Sequence, residues 1–187
     1  ANDYVGKGMA SGKIIVKVPK ILKEAANKMI IIGNTCLYGA TGGKLFAEGI
    51  AGERFGVRNS GCTAVIEGSG DHTCEYMTGG AVIILGETGD NFGAGMTGGL
   101  SFVYDKDNTF AKKINNESVE IAKLSESIFT EHKKYLLKSL KEYYKDTDSY
   151  VAKSIISKFN EEINKFVIVK PKASDYKSLL AILTKAA

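Results

Sequence analysis

Residues Tyr76–Asp105 read YMTGGAVIILGETGDNFGAGMTGGLSFVYD, and they contain one phrase twice: Met77-Thr78-Gly79-Gly80 before AVIIL and Met96-Thr97-Gly98-Gly99 before LSFVY. The second copy also holds GxGxxG, in Gly93 to Gly98. A dinucleotide site requires that motif to follow a strand and open a helix, so that a pyrophosphate meets the helix N-terminus. Here a β-branched and aromatic run follows Gly99, as it does after Gly80, so the setting predicts a repeated turn before a strand.

The same grammar extends outward. MASGKIIVKV, GATGGKLFAEG and RNSGCTAVIEG each place a glycine-terminated turn before an apolar run. Aligning Gly12, Gly43, Gly61, Gly80 and Gly99 gives separations of 31, 18, 19 and 19 residues. The first becomes regular if the lysine-rich stretch at about 19–28 is an insertion. A period near 19 is a solenoid signal. It predicts a right-handed parallel β-helix, with about three short strands per coil and coils about 4.8 Å apart. Glycine then supplies positive φ or close approach at the corners. Ala40, Ala64, Ala81 and Ala94 are expected inside, and Thr41, Thr78 and Thr97 in one column.

All 21 glycines precede residue 100, and from Thr109 onward the chain carries fifteen Lys against ten Asp or Glu. The period becomes helical there: Leu124, Ile128, Phe129, Leu136 and Leu140, then Val151, Ile155, Phe159 and Ile163. The expected fold is therefore mainly β, a β-helix over 1–105 followed by two to three α-helices in a C-terminal extension over 106–187. Asp146 to Ser149 reads as a capping region. Val167 to Val169 reads as an extended segment, and a last helix is expected from about Ser174. The helices are expected to cover the open end of the β-helix or to dock beside it.

The 44% hydrophobic content supports a folded domain, no apolar run nears the roughly 20 residues of a membrane span, and the start lacks a signal-peptide pattern. The chain reads as a piece of a longer one. Its net charge of +4 is mixed in sign and makes no case for nucleic acid. Cys36, Cys62 and Cys74 lack CxxC spacing, which points to a reducing compartment and a cytoplasmic location.

Several stretches invite sharper chemistry. GATGGK at Gly39–Lys44 has one residue too few between its glycines for a phosphate loop, and Leu45 stands where Ser or Thr would hold magnesium. Lys44 is expected to be solvated at a strand start. Gly70-Asp71-His72-Thr73-Cys74-Glu75 raises a metal or thiol question with Cys62 one repeat earlier, yet with two histidines in the chain a zinc set is hard to complete. Asp71 and His72 are expected to hydrogen-bond a turn, with Cys74 buried; catalysis or small-ligand binding near Asp71 and His72 is the alternative. Arg54 and Arg58, the only arginines, suit planar carboxylate pairing. Either a docking contact to another domain or a coil-to-coil bridge to Glu67 or Glu75 fits them. The lysines of Glu131–Lys145 read as a solvated helix face.

Taken together, GNTCLYGATGG, GDHTCEYMTGG and GAGMTGG, in this order, resemble the C-terminal domain of the large (α) subunit of glutamate synthase. The likeness covers at least Ala1 to Asp105 and continues more loosely through KFVIVKP. A subunit of formylmethanofuran dehydrogenase is a more distant relative. The resemblance implies a scaffolding β-helix in an enzyme that converts glutamine and 2-oxoglutarate into two glutamates. It implies partners in the amidotransferase and FMN-barrel domains, with further subunits of that enzyme as additional candidates, and an FMN and a 3Fe-4S cluster held elsewhere. In a eukaryotic parent the location would be organellar. This chain departs from the whole enzyme in having no amino-terminal cysteine, no barrel and no cluster spacing, so no catalytic, cofactor-binding or metal residue carries over to it.

Overall fold

The computed structural model describes residues 1–185, so positions 186 and 187 of the expected C-terminal extension lie outside the described residues. Five strands follow the predicted repeats: β1 (Lys13–Val16), β3 (Lys44–Ala51), β4 (Ser60–Ser69), β5 (Thr78–Ile84) and β6 (Gly98–Tyr104). They pair in parallel in the order β1-β3-β4-β5-β6, a β-solenoid of about four turns. A short β2 (Ile30–Ile32) also pairs with β3. Between β1 and β2, residues Lys20–Lys28 form a 3₁₀ segment at the stretch that the spacing marked as additional.

Each coil has one long strand, and another of its sides is not a strand at all. Along it every second residue has positive φ, as in Arg54, Gly56 and Arg58 and, one coil on, His72, Cys74 and Tyr76. Their N–H groups reach the neighbouring coils: Arg54 N to Asp71 O at 2.8 Å, Gly56 N to Cys36 O at 2.9 Å and Arg58 N to Glu75 O at 3.0 Å. The expectation of three strands per coil gives way to this alternating wall, where backbone bonds between coils persist without extended φ and ψ.

Strand register makes Gly43, Cys62, Gly80 and Gly99 equivalent, so Cys62 stands where sequence alignment put Gly61. Asn59 explains the exception. Its side chain accepts from Gly61 N and Cys62 N and donates to Cys62 O, holding that corner by itself. At Gly80, by contrast, φ is +79° and a Cβ would lie 2.4 Å from the Cys62 carbonyl oxygen. The threonine column is present, with Ser60 as its member between Thr41 and Thr78.

Both faces of the parallel sheet are buried, which is why its strands read as continuous apolar runs. Leu45, Ala64, Val82 and Val103 point into the solenoid with Ala40 and all three cysteines. Phe46, Val65, Ile83 and Phe102 point outward beneath the helices, and so does Ala81. Ala81 is thus corrected from an interior to a helix-facing residue, and Ala94 is only half-buried.

The tail packs against that outer face. Helix α1 (Thr130–Thr147) buries Leu136, Leu140 and Tyr143, and Tyr143 meets Phe46 edge-on at 5.7 Å. Ser149 begins α2 (Tyr150–Ser157) by accepting from Ala152 N, as a capping residue should. A single turn, α3 (Phe159–Glu162), and α4 (Tyr176–Lys185) complete the helices. The last coil is closed by strands instead: β8 (Phe166–Pro171) pairs antiparallel with β6, and β7 (Val119–Lys123) pairs with β8. Val119–Lys123 escaped the sequence reading because its alternation is short and half polar.

Candidate functional site

The segment Gly70–Glu75 spends its reactive groups on the turn. Asp71 Oδ1 accepts from Asp90 N at 2.7 Å, and His72 Nδ1 lies 3.1 Å from the Asn91 amide nitrogen, both one coil on. Cys74 is wholly buried, its sulfur 3.4 Å from Ser101 Oγ, and desolvation pushes its thiol up to about 12. Burial does the same to Cys62. Cys36 is also raised, again chiefly by desolvation. Such thiols are protonated at neutral pH and poor nucleophiles. Among the described residues no three His, Cys, Asp or Glu are gathered as metal ligands. The cysteines therefore do not fit an iron-sulfur cluster, which needs thiolates facing one point.

The arginine alternatives separate. Arg54 Nη2 bonds Glu75 Oε2 at 2.8 Å, a coil-to-coil bridge, half-exposed on the arginine side. Glu67 is not its partner. Arg58 is exposed and has positive φ. Lys44 departs from expectation, because its ammonium meets Glu142 of α1 at 2.7 Å beside Lys13, which bonds both Glu142 and Asp146. Desolvation raises the Glu142 pKa, but hydrogen bonds and charge from Lys13 and Lys44 hold it below the ordinary value. These lysines dock the helix. Of the helix lysines, Lys133 bonds the Ser125 carbonyl and Lys134 pairs with Glu131 at 2.8 and 2.7 Å.

GAGMTGG divides its glycines among three tasks. Gly93 and Gly95 continue the alternating wall, Gly98 passes close to the Thr78 carbonyl, and Gly99 makes the positive-φ corner before β6. His132, far from His72 in sequence, lies buried beneath α4. Its Nε2 is 3.0 Å from the Tyr176 carbonyl, and desolvation lowers its pKa.

Polar chemistry concentrates at a place the sequence did not single out. Lys23 of the 3₁₀ segment enters the protein and meets Glu48 at 2.8 Å, with both side chains almost fully buried. It also donates to the Thr147 carbonyl at the end of α1. One coil on, buried Glu67 accepts from Ser149 and from Tyr143, whose hydroxyl is 2.9 Å away. Desolvation raises the Glu67 pKa despite those bonds, and its Oε2 has no partner. The network ties insertion, solenoid and helices together. Only the repeat offset of 19 between Glu48 and Glu67 hinted at it.

Beside this network runs a groove of about 650 Å³, lined by Lys23, Glu67, Thr88, Asp105, Tyr150 and Ile155 among others. Its volume is within the size range of ligand sites. No described helix is long and apolar enough to cross a membrane.

Known proteins resemble the chain along nearly its whole length. The family model described as GXGXG motif matches residues 1–172. Glutamate synthase [NADH] of Schizosaccharomyces pombe is 48% identical over 179 residues, 96% of this chain and 8% of that protein. The ferredoxin-dependent glutamate synthase of Antithamnion sp. is 47% identical over 184 residues, 98% of this chain and 12% of its own length. The glutamate synthase [NADPH] large chain of Bacillus subtilis (strain 168) is 44% identical over 182 residues, covering 97% and 12%. The chain thus spans 8% to 12% of the length of these relatives.

Proposed function

This chain belongs to the GXGXG motif family, and from that premise we propose that it is a scaffolding domain of a glutamate synthase. It would hold in register the domains that release ammonia from glutamine and add it to 2-oxoglutarate to form glutamate. FMN and an iron-sulfur cluster would belong to those other domains, and amidotransferase and flavin domains would be its partners. The cytosol, or an organelle in a eukaryotic parent, would be its location.

The observation that carries this proposal is where the chain's reactive side chains go. Asp71, His72 and Cys74 are each engaged with a neighbouring coil, and the cysteines face the solenoid interior. Among Asp71, His72 and Cys74 no nucleophile is hydrogen-bonded to a general base, the arrangement that covalent catalysis requires. A stack of coils joined by backbone bonds and braced by a helix layer is instead a stiff spacer.

The decisive comparison uses the complete polypeptide. His72→Ala and Cys74→Ser are expected to leave glutaminase and glutamate-forming turnover within about threefold of the parent, because removing a transition-state contact costs far more. Loss of either activity by orders of magnitude, in a variant that still folds, would place chemistry in this chain and overturn the scaffold. So would a thermal shift of the 187-residue chain by FMN, NADPH, glutamine or 2-oxoglutarate that His72→Ala abolishes.

A further inference from the structure

The groove has an unfinished sheet edge. On the second face of the solenoid, Ile30 and Ile32 pair with Ile50 and Ala51, which pair with Gly68 and Ser69. Ser69 N then bonds Glu87 O, and Gly89 N bonds Ser69 O, so residues 85–88 form the next row. Among the described residues no further strand continues it, and only the Lys113 ammonium reaches it, donating to Thr88 O at 2.6 Å. Asp105 N turns to the Lys165 carbonyl, its carboxylate caps Thr109 N and Phe110 N, and the chain leaves this face.

Three N–H groups are left without protein partners. Among the described residues, those of Gly86, Glu87 and Thr88 donate no hydrogen bond, although the matching rows of earlier coils are bonded on both sides. A buried hydroxyl points the same way: Thr88 is 5% exposed and its Oγ1 has no partner, like the Oγ of Ser69 one coil earlier. Of the three residues Thr88 is buried, Gly86 half-buried and Glu87 exposed, and a row of unpaired strand donors is a template for pairing with another segment. The edge lies in the groove, with Phe110 and Val103 as apolar lining and Tyr150, Val151 and Ile155 contributed by α2.

Resting on the scaffold proposal, we propose that this groove receives an extended segment from the remainder of the larger polypeptide, added as one more strand beside Gly86–Thr88. Main-chain donors call for main-chain acceptors, and strand addition meets that need while apolar pockets take alternate side chains. The matched relatives carry the great majority of their length outside this region, so the supply of such a segment is covalent.

Hydrogen exchange on the complete polypeptide reads the edge directly. The amides of Gly86 and Thr88 should exchange at least ~100-fold more slowly than unstructured ones, as paired strands do, while the turn at Lys106–Asn108 exchanges fast. Exchange of Gly86 and Thr88 at the turn's rate overturns the strand. A photo-crosslinking phenylalanine analogue at half-exposed Tyr150 should capture a segment outside residues 1–187 of the same polypeptide. Ser154→Trp, an exposed change on the groove wall, should cut that yield several-fold. Capture only of residues within 1–187, or of a second copy, refutes the proposal, as does protection that a dialysable small molecule supplies. Fast amides with His72→Ala still active would sink the strand alone; slow amides with His72→Ala inactive would sink the scaffold alone.

Discussion

The solenoid and the helical tail are stabilised in different currencies. In the coils, main chain meets main chain: corner glycines approach carbonyl oxygens of the preceding coil, and N–H groups of the positive-φ wall cross between coils. In the tail, side chains do the holding, through Tyr143 against Phe46, Tyr135 against Phe102, and the paired lysines on Glu142. A backbone contact tolerates almost no added atom, whereas side-chain packing tolerates exchange and partial collapse. The two regions should therefore respond very differently to mutation.

Gly80→Val gives the largest expected effect. It adds a β-branched side chain at φ +79°, 2.4 Å from a carbonyl oxygen, and should cost more than about 4 kcal/mol or prevent folding. Lys133→Ala on α1 should stay within about 0.5 kcal/mol of the parent, and equal melting temperatures would erase the contrast. Next comes Lys23→Ala, which leaves Glu48 buried and unpaired. A loss of about 3 kcal/mol in chemical denaturation is expected, and a loss below 1 would show that water replaces the ammonium.

Glu67→Gln sharpens the comparison through pH. The folded pKa of Glu67 is raised from 4.5, so above that value the unfolded chain releases a proton the native one keeps. Its contribution to stability therefore falls as pH rises through the window from 4.5 to the folded pKa, by up to about 1.4 kcal/mol per unit. Gln retains an acceptor for Tyr143 and Ser149 and should remove that fall. Parallel stability-against-pH curves for parent and variant would refute the assignment. The smallest effect has the opposite sign: Arg58→Gly should stabilise by about 0.5–1 kcal/mol, because arginine holds φ +54° on an exposed surface. A lower melting temperature would mean that the guanidinium has a partner in the folded chain.

Legibility followed the same divide. Period-19 glycines marked the coils, and the helical period marked α1, α2 and α4, because both are local patterns with one structural solution. Cys62 at a glycine corner was misaligned by one residue because Asn59 does the work of the glycine, and a side chain's compensation leaves no spacing signature. Ala81 faces the helices because the sheet is buried on both sides, where alternation cannot distinguish inward from outward. The candidate groove was least legible of all. Its walls come from the 3₁₀ segment, four coils and α2, joined only when Lys23 meets Glu48 and Thr147.

The amino-acid sequence by itself determined the repeat, the corners and the helical character of the tail, since each rests on steric limits acting within a few residues. Tertiary structure alone decided that β8 closes the last coil, that Lys13 and Lys44 hold α1, that Glu67 is buried with its pKa raised, and that no further strand among the described residues pairs with the edge at Gly86–Thr88. Those outcomes depend on which distant surfaces meet, and hydrophobic burial, being non-directional, leaves that choice to the shape of the whole.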